Sequence, residues 1–483
     1  MSDYIRIGLD FGTHQTKVCV QRTPDEGHGH PVYEFFKFKD LKGKDNFFLP
    51  SIVQINDDDT LSYGFVDSQK ERSRNIEPKL QPLPEPFVFD EESELSRLVE
   101  RYFVDGMTEN ELNIIKTIVK ERHNYLSTKY QEELIRIKEE NTKEISAYKG
   151  KRDVFRYFKQ ATFSEREWPY PIDYRLISIW YLSFVIFCLE DKYGQNFSIN
   201  MGIPASYDTF ENKKREAISV LSSAYKLVEE VYKNDKELFM SESIDNLINK
   251  TEIVPYSKDY KEFFGINIFP EAFASMAPLT SREKITRGMC LAVDIGGGTT
   301  DVSFFTIKDQ KPQIYKFWTI HKGLNYIAEQ SGYDYQNFNF DENAEGDVIR
   351  NYNSEKTSLV DRLYEDLTKA IKEKDKYKSQ IRLRLENGVV VYNGGGSIYG
   401  PLTTGMKTYF TDVKIIEGDM WKEENIKDID EVSKYCKILT TSYGLSLCRK
   451  DDEVILHDYN ELFSFLGIEN ESSSRVYIDK DMV

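Results

Sequence analysis

Short apolar runs separated by polar turns open the chain, and this pattern predicts β-strands. Residues 5–20 read IRIGLDFGTHQTKVCV, two apolar runs around a polar turn, which indicates a hairpin. Phe47–Gly64 is predicted to hold a second pair of strands, because Asp57–Asp59 is a turn-forming run. Four later segments of the same kind are predicted to contain strands: Phe197–Ile203, Glu252–Tyr256, Cys290–Phe305 and Val389–Tyr392.

The stretch from Glu91 to Gln160 has the composition of long solvated helices. It contains 28 charged side chains in 70 residues, and no proline occurs between Pro86 and Pro169. Its apolar residues recur at steps of three and four, on one helical face: Leu112, Ile115, Val119, Leu126, Tyr130, Leu134 and Ile137, with His123 in the gap. We expect this face to pack against a neighbouring element; a coiled-coil dimer, sustained over only about four heptads, is the alternative.

Further helices are predicted between the strands. Leu176–Leu189 is the most apolar stretch, but its 14 residues fall short of the roughly 20 that cross a membrane, so a buried core helix is expected. Other helices are predicted at Asn212–Glu230, at Ala272–Met276, at Glu355–Leu385 and after Ser397. Because strands alternate with helices, the sequence predicts an α/β fold with covered sheets.

Length and charge narrow the class of protein. A chain of 483 residues, 40% of them hydrophobic, is long enough for two or three domain-sized units. Its formal net charge of −17 disfavours nucleic acid and membrane partners, because both surfaces are anionic. Five scattered cysteines without a C-x-x-C pair, and an N-terminus without an export signal, favour a reducing compartment, so we expect a cytoplasmic protein.

Two stretches repeat one arrangement of chemically active residues: LDFGTHQTKVCV from Leu9 and VDIGGGTTDVSF from Val293. Each has a strand, Asp-x-Gly, a turn rich in Gly and Thr, and a second strand. Glycines let backbone N–H groups approach an anion, and threonine hydroxyls add donors. The aspartate can hold a hydrated Mg²⁺ that bridges phosphate oxygens. The pattern therefore predicts a duplicated hairpin that grips a polyphosphate and its metal from both sides.

A third glycine run, VVVYNGGGSIYGP, also follows a buried strand, where a flat ring can lie close to the backbone. Each such loop taken alone is often only a tight turn, but three in this order favour a nucleotide site. The chain has no G-x-x-x-x-G-K-[ST] motif, which excludes a P-loop protein.

The three loops resemble those of the actin-like ATPase superfamily, which groups actin, the 70-kDa heat-shock (DnaK-like) chaperones and sugar kinases. LDFGTHQTK is similar to its first phosphate loop, VDIGGGTTD to its second and NGGGSIYGP to its nucleoside loop. LPSIVQI, INMGIPASYDTFENKKREA, IFPEAFASM and ILTTSYGLSL resemble the DnaK-like branch. The resemblance covers Ile5 to about Cys448 apart from an insert at about 75–170. It implies a two-lobed fold of duplicated ribonuclease-H-like domains that binds ATP or ADP with Mg²⁺.

The resemblance also implies a role for each matching residue. Asp10 and Asp294 would lie near Mg²⁺. Glu271 and Asp301 would orient or deprotonate the attacking water, while Thr299 and a lysine stabilise charge. The residues implied to contact the nucleotide are Gly12, Thr13 and His14 of the first loop, Gly296, Gly297 and Gly298 of the second, and Gly395, Gly396 and Ser397 of the third. The histidine is unusual in such a loop, and we assign it no catalytic role.

Some positions depart from the family pattern. DnaK-like proteins carry a catalytic lysine shortly after the LPSIVQI region, but here Ser68 falls near the equivalent position and Lys70 comes two residues later. Actin-like members place a lysine at the end of the first phosphate loop, where Lys17 occurs, so we favour Lys17 as the cation that neutralises phosphate charge. A glycine precedes Pro401 where the chaperones have an aliphatic residue, and no adenine-clamping pair is identified within Glu355–Leu385.

The predicted organisation is lobe I at residues 1–285 with the helical insert, lobe II at 286–415, a return segment to lobe I at 416–448, and a tail at 449–483. With 35 residues after Cys448, no peptide-binding domain of the chaperone type is expected, although DDEVILHD resembles the chaperones' linker. The leading hypothesis is a stand-alone, slow ATPase whose nucleotide state is detected by a protein partner. The alternatives are an actin-like filament-forming ATPase and a small-molecule kinase of the sugar-kinase type.

Overall fold

The structure is a computed structural model whose described residues fall into two compact units. The first unit comprises Met1–Glu71, Val154–Trp168 and Ile172–Val483, and the second comprises Arg72–Asp153 with Pro169–Pro171. The described residues are 4–24, 30–70, 81, 84, 87, 89–102, 108–148, 154–164, 166–280, 288–308, 311–333, 338–370, 374–404, 410, 412–417, 421, 425–449 and 457–465.

Strands and helices alternate along the described chain, which is mixed α/β. The strands are β1 (Tyr4–Phe11), β2 (Gln15–Thr23), β3 (Val32–Phe35), β4 (Phe38–Lys39), β5 (Asp45–Asn46), β6 (Leu49–Pro50), β7 (Val53–Ile55), β8 (Leu61–Tyr63), β9 (Val154–Phe155), β10 (Phe197–Ile203), β11 (Ile266–Pro270), β12 (Cys290–Ile295), β13 (Thr300–Lys308), β14 (Lys311–Ile320), β15 (Val389–Asn393) and β16 (Asp412–Ile415). The α-helices are α1 (Glu91–Tyr102), α2 (Glu109–Tyr148), α3 (Phe158–Phe163), α4 (Tyr174–Tyr193), α5 (Tyr207–Lys226), α6 (Lys236–Met240), α7 (Ile244–Lys250), α8 (Lys258–Phe263), α9 (Glu271–Ala274), α10 (Ala277–Thr280), α11 (Leu324–Gln330), α12 (Phe340–Asn343), α13 (Gly346–Ala370), α14 (Lys374–Glu386), α15 (Ile429–Val432), α16 (Cys436–Leu447) and α17 (Tyr459–Phe465). A π-helix continues α5 over Leu227–Val231, and 3₁₀ turns occur at Ser68–Lys70, Gly395–Ile398, Gly400–Thr403 and Ser433–Tyr435.

The first sheet is built around the N-terminal hairpin. Its strand order is β11-β10-β1-β2-β3, and β6 pairs with the start of β2. The strands β1, β2 and β3 are antiparallel neighbours, whereas β10 and β11 are added in parallel next to β1. Parallel neighbours need a crossover, and α4 and α5 lie in the connections that lead into β10 and β11. The β1 strand is buried along most of its length, as expected for a sheet covered on both faces.

The second sheet repeats this topology. Its order is β14-β13-β12-β15-β16. The strands β12, β13 and β14 are antiparallel neighbours, and β15 and β16 are added in parallel next to β12. In each sheet, therefore, the strand that carries Asp-x-Gly is central, with its hairpin partner on one side and a parallel strand on the other.

The helix α16 lies directly on the first sheet. A Cβ at Gly8 would come within 2.2 Å of the Ser442 carbonyl oxygen, so glycine is needed where the helix crosses β1. From β10, the buried Asn200 amide donates to the carbonyls of Leu445 at 2.7 Å and Cys448 at 2.8 Å. These bonds satisfy carbonyl groups at the end of the helix and fix its position on the sheet.

Separate apolar cores support the two sheets. Beside the first sheet, α4 buries residues on all sides, as predicted for the apolar stretch Leu176–Leu189. The second core joins the strands of the second sheet to α13 and α14. Leu462 and Phe463 of α17 are fully buried in that second core, so residues 457–465 of the predicted tail are packed structure.

The second unit contains α1 and the long helix α2. The predicted apolar face of α2 packs within the unit, where Ile115, Val119 and Ile137 are buried. The His123 ring stacks against Phe87 and Phe89, with ring centroids 5.7 and 5.1 Å apart. The apolar stripe is therefore used for packing within the chain.

Several sequence predictions are confirmed and others are wrong. The hairpins at residues 5–20, Phe47–Gly64 and Cys290–Phe305 are confirmed. The strand predicted at Glu252–Tyr256 is wrong, because residues 251–257 have no regular structure. The helix predicted after Ser397 is wrong as well, since the chain makes two short 3₁₀ turns there.

Two boundaries also differ from the sequence predictions. The single charged helix expected over Glu355–Leu385 is two helices, α13 and α14, and the first begins at Gly346. The predicted insert at about 75–170 is longer than the second unit, since 154–168 belong to the first unit, where β9 pairs with β7. Charge-rich composition conceals both the short buried strand β9 and the helix start at Gly346.

Among the residues that the structure describes, no helix combines the length and apolar character needed to cross a bilayer. All five cysteines are free thiols.

Candidate functional site

The two Asp-x-Gly hairpins, β1–β2 and β12–β13, both turn at one cavity of about 190 Å³. Most of the predicted site residues line it: Asp10, Gly12, Thr13, His14, Lys17, Glu271, Asp294, Gly296, Gly297, Gly298, Thr299, Asp301 and Gly395. The predicted residues Gly396 and Ser397 are not part of this lining. Loops far apart in sequence therefore meet here because both sheets present the same end of their central strand.

The first hairpin places an ion pair at the cavity. Asp10 and Lys17 are directly opposite in the antiparallel ladder, and the Lys17 ammonium donates to Asp10 Oδ2 at 2.9 Å. Their side chains are 8% and 14% exposed, so the pair is largely shielded from water. The turn itself requires glycine, because a Cβ at Gly12 would lie 2.2 Å from the Gln15 carbonyl oxygen.

The second hairpin places two carboxylates at the corresponding positions. Asp294 and Asp301 are directly opposite across β12 and β13. Asp301 accepts hydrogen bonds from the Thr319 hydroxyl at 2.6 Å and the Thr299 hydroxyl at 3.2 Å. Asp294 accepts from the Thr441 hydroxyl of α16 at 2.7 Å. These hydroxyls hold both carboxylates in fixed orientations at the cavity.

A second cation in the cavity comes from Lys159, which is absent from the sequence predictions. It lies on the short helix α3, and its ammonium donates to Glu271 Oε1 at 2.5 Å. The two side chains are only 4% and 9% exposed. Glu271 begins α9 immediately after β11, so the end of a parallel strand delivers it to the cavity. The available sequence signal was a lysine inside a run rich in aromatic residues, VFRYFKQATF from Val154.

Four carboxyl groups and two ammonium groups line this cavity, and both burial and neighbouring charges shift the pKa values of Asp301, Asp294 and Lys159. Burial raises the pKa of Asp301 well above its usual value, and the charge of Glu271 adds to the shift. Burial also raises the pKa of Asp294 to about 7. The hydrogen bond from Thr441 opposes this shift, and the charge of Asp10 adds to it. Burial alone would lower the pKa of Lys159, but Glu271 and Asp10 outweigh it and raise that pKa. The cavity is thus suited to a ligand that brings positive charge.

The carboxylates are arranged for a hydrated cation rather than a full protein cage. Within the described ranges, no group of three or more His, Cys, Asp or Glu side chains is placed to hold a metal ion. Asp10 and Asp294, one from each hairpin, line the same cavity. Mg²⁺ keeps several of its waters and needs only one or two carboxylates, so these residues fit it.

The third glycine loop closes one side of the cavity. Gly394 has φ of 80°, and a Cβ there would lie 2.2 Å from Asp294 Oδ1. Ser397 turns inward and its hydroxyl donates to the Gly394 carbonyl at 2.7 Å, while Gly396 packs on Ile295. Gly395 and the two residues after Ser397 reach the cavity instead, so the loop presents an isoleucine and a tyrosine there.

Two other lysines, the candidate Lys70 and the buried Lys356, lie outside the cavity lining. Lys70 is exposed, at the end of a 3₁₀ turn, and is not part of the cavity lining. Lys356 of α13 is fully buried, and its ammonium donates to the Leu402 carbonyl. Burial lowers the pKa of Lys356 to about 7. The cavity therefore receives its positive charge from Lys17 and Lys159.

A larger cavity of about 400 Å³ adjoins the first, and the two share residues of the first loop. Its lining combines polar and aromatic groups: Thr13, His14, Gln15, Pro50, Ser51, Ile52, Arg156, Tyr157, Leu324, Phe338 and Tyr399. A volume of this size accommodates a small organic molecule beside the carboxylate cavity.

No protein-family model matches the chain, and a search of curated protein sequences finds no significant match.

Proposed function

We propose that this chain has an actin-like two-lobed fold and is a DnaK-like ATPase that binds Mg-ATP and hydrolyses it slowly. The observation that carries the proposal is the pair of Asp-x-Gly hairpins, central in two sheets of the same topology, that line one cavity. A duplicated arrangement of this kind presents backbone N–H groups and hydroxyls to a phosphate chain from two sides.

Charge balance supports a metal-bound polyphosphate. With four carboxyl groups against two ammonium groups, each carboxyl that ionises would repel a bare phosphate chain. Asp10 and Asp294 are the residues that would hold Mg²⁺, through water. When bound, Mg²⁺ would neutralise phosphate oxygens and so remove this repulsion.

Different side chains at the cavity have different roles in the proposed hydrolysis of ATP. Lys17 and Lys159 supply the positive charge that stabilises a phosphoryl group during transfer. Glu271 and Asp301 orient the attacking water. Thr299 holds Asp301 through its hydroxyl and lines the same cavity.

The direct test is calorimetry of the purified chain with ATP, ADP, GTP and tripolyphosphate, each with and without Mg²⁺. We expect Mg²⁺-dependent binding of ATP with a Kd in the micromolar range, about −7 to −8 kcal/mol. Asp10→Asn is expected to weaken the Mg²⁺-dependent part of that binding. If no nucleotide binds at tens of micromolar, the proposal is wrong.

The nucleotide state would be detected by a protein partner, because ATP would contact a loop from each sheet and ADP fewer of those groups. Hydrogen exchange in ATP and in ADP checks this. Slower exchange of both loops in ATP than in ADP is expected for a switch, and equal exchange contradicts it. An actin-like filament would instead give ATP-dependent light scattering that grows with concentration.

The adjoining cavity favours a second candidate, phosphoryl transfer to a small molecule. It shares Thr13 and Gln15 with the carboxylate cavity and adds Arg156 and aromatic side chains, which suit an acceptor with an anionic group. ATP consumption that rises severalfold when a panel of sugars and hydroxy acids is added would favour this kinase. If no acceptor changes the rate of ATP consumption, the ATPase hypothesis is favoured over the kinase.

A further inference from the structure

A chain of hydrogen bonds connects the two glycine loops through side chains that the proposed chemistry does not use. It consists of His14 in the first loop, Gln160 on α3 and Asn325 on α11, and it ends on the Gly298 carbonyl of the second loop. We call these three side chains the loop clasp. Gln160 and Asn325 are 5% and 2% exposed.

The direction of each bond in the clasp follows from the one group that can only accept. The Gly298 carbonyl accepts from Gln160 Nε2 at 3.1 Å, which leaves Gln160 Oε1 as an acceptor. That oxygen accepts from Asn325 Nδ2 at 3.4 Å. Asn325 Oδ1 then accepts, so His14 Nε2 must carry the proton and donate to it. A chain of bonds aligned in one direction is stronger than its members taken singly.

The second loop lacks side chains where the clasp passes. A Cβ at Gly297 would lie 1.9 Å from His14 Cδ2. A Cβ at Gly298 would lie 2.4 Å from Gln160 Nε2 and 2.7 Å from Thr13 Oγ1. The glycines therefore allow the first loop and α3 to approach the second loop at contact distance.

The start of α3 is held by further contacts. Tyr157, just before the helix, has φ of 62°, a conformation that is unfavourable for a bulky residue. Its ring meets the His14 ring edge-on at 5.8 Å, and the Arg166 guanidinium lies over it at 4.2 Å. Arg166 also forms an ion pair with Glu329 of α11 at 2.8 Å. A strained residue persists only where its surroundings determine its position.

We propose that the loop clasp fixes the spacing between the two glycine loops and so makes His14, Gln160 and Asn325 positioning residues for hydrolysis. This rests on the proposed ATPase function. Gln160 directly follows Lys159, so a loosened clasp also frees the segment that holds this ammonium beside Glu271. Because displacements of about 1 Å can cost 10²-fold in rate, loss of the clasp lowers turnover more than binding.

The test compares His14→Leu, which removes the donor, with His14→Gln, which keeps an N–H donor for Asn325. His14→Leu is expected to lower single-turnover ATP hydrolysis tenfold or more and to change the Kd for ATP less than threefold. His14→Gln should retain at least one third of the wild-type rate. His457→Leu is the matched control, since that histidine bonds to Glu461 outside the cavity, and it should leave the rate unchanged.

A second readout does not need nucleotide. Hydrogen exchange of the second loop in nucleotide-free protein should accelerate severalfold in His14→Leu and in Asn325→Leu, but not in His457→Leu. The double variant of His14→Leu with Gln160→Met should lose no more activity than the worse single variant, because the bonds act as one chain.

The outcomes separate the clasp from the proposed function. Wild-type protein that neither binds nor hydrolyses ATP overturns both the function and the positioning role. Wild-type hydrolysis with normal turnover and normal exchange in His14→Leu overturns the clasp alone. Equal loss of ATP affinity and turnover in His14→Leu also overturns it, since His14 would then contact the nucleotide.

Discussion

The two hairpins at the cavity have the same strands and the same ladder register but present opposite chemistry. In both, an aspartate is the last-but-one residue of the central strand and a glycine begins the turn two residues later. Opposite that aspartate, the first hairpin has Lys17 and the second has Asp301. The same backbone register therefore places a cation at the cavity in the first sheet and an acid in the second.

The turns differ in the same complementary way. Thr13 and His14 of the first turn correspond to Gly297 and Gly298 of the second. Side chains at those second-loop positions would collide with His14, Thr13 and Gln160. One loop thus supplies functional groups, and the other supplies space and backbone. A duplicated hairpin becomes a site because its copies have diverged at contacting positions.

The largest expected effect comes from substituting the acidic residues of the cavity. Asp301→Asn is expected to lower ATP turnover by about 10²-fold or more while ATP affinity stays within a few-fold, because a water-orienting group acts mainly in the transition state. Glu271→Gln is expected to behave in the same way. Single-turnover hydrolysis at saturating ATP, with calorimetry for affinity, measures both quantities. A loss of affinity as large as the loss of rate would mean that these acids hold the ligand.

Substitutions of three lysines test the role of the positive charges in the cavity. Lys17→Ala and Lys159→Met are each expected to slow hydrolysis by roughly tenfold or more, since both ammonium groups lie in the cavity beside carboxylates. Lys70→Ala is the matched control, because Lys70 is exposed and outside the cavity, and it should leave the rate unchanged. Single-turnover hydrolysis compares the three. A defect in Lys70→Ala that exceeds the other two would restore the chaperone-type assignment.

Local patterns predicted much of the fold, and contacts distant in sequence account for what was missed. The hairpins at residues 5–20 and Cys290–Phe305 follow from alternation and turn residues alone. The strand β11 was missed because INIFP is a short apolar run that periodicity cannot assign. The predicted strand Glu252–Tyr256 failed because strand propensity forms a strand only where a partner edge is available.

The candidate site shows the same limit. Sequence motifs identified the two Asp-x-Gly turns, whose residues are adjacent along the chain. Lys159 and Gln160 have no motif, and only the pairing of β9 with β7 after the insert brings α3 to the cavity. Asn325 was missed for the same reason, because its role depends on His14, 311 residues away. A single sequence does not record such a contact.

A smaller effect is expected where the two turns touch. Gly297→Ala should lower the free energy of unfolding by about 1–3 kcal/mol, because its Cβ meets the His14 ring. In a His14→Ala background the same change should cost under about 0.5 kcal/mol, since the obstructing ring is gone. Gly400→Ala, at a glycine with open space around its Cβ position, is the matched control and should be nearly neutral. Urea unfolding measures wild type and the four variants, and equal costs in the two backgrounds would refute this complementarity.

The smallest effect concerns Asp10 and Asp294, the aspartates of the two central strands. Asp10 has an ammonium opposite it, whereas Asp294 has a carboxylate, and burial raises the pKa of Asp294 from 3.8 to about 7. The folded protein then keeps a proton that the unfolded chain releases, so this group favours the fold fully below pH 4 and loses that contribution as pH rises through 7. Asp294→Asn, which cannot ionise, should therefore stabilise the nucleotide-free protein increasingly between pH 4 and pH 7. The gain cannot exceed about 1.4 kcal/mol per pH unit.

Urea unfolding at half-unit steps of pH measures this gain. The exposed Asp430→Asn is the control, and its stability is expected to parallel that of wild type. A gain for Asp294→Asn that is the same at pH 4 and pH 7 would show that burial in the second hairpin does not hold a proton on Asp294.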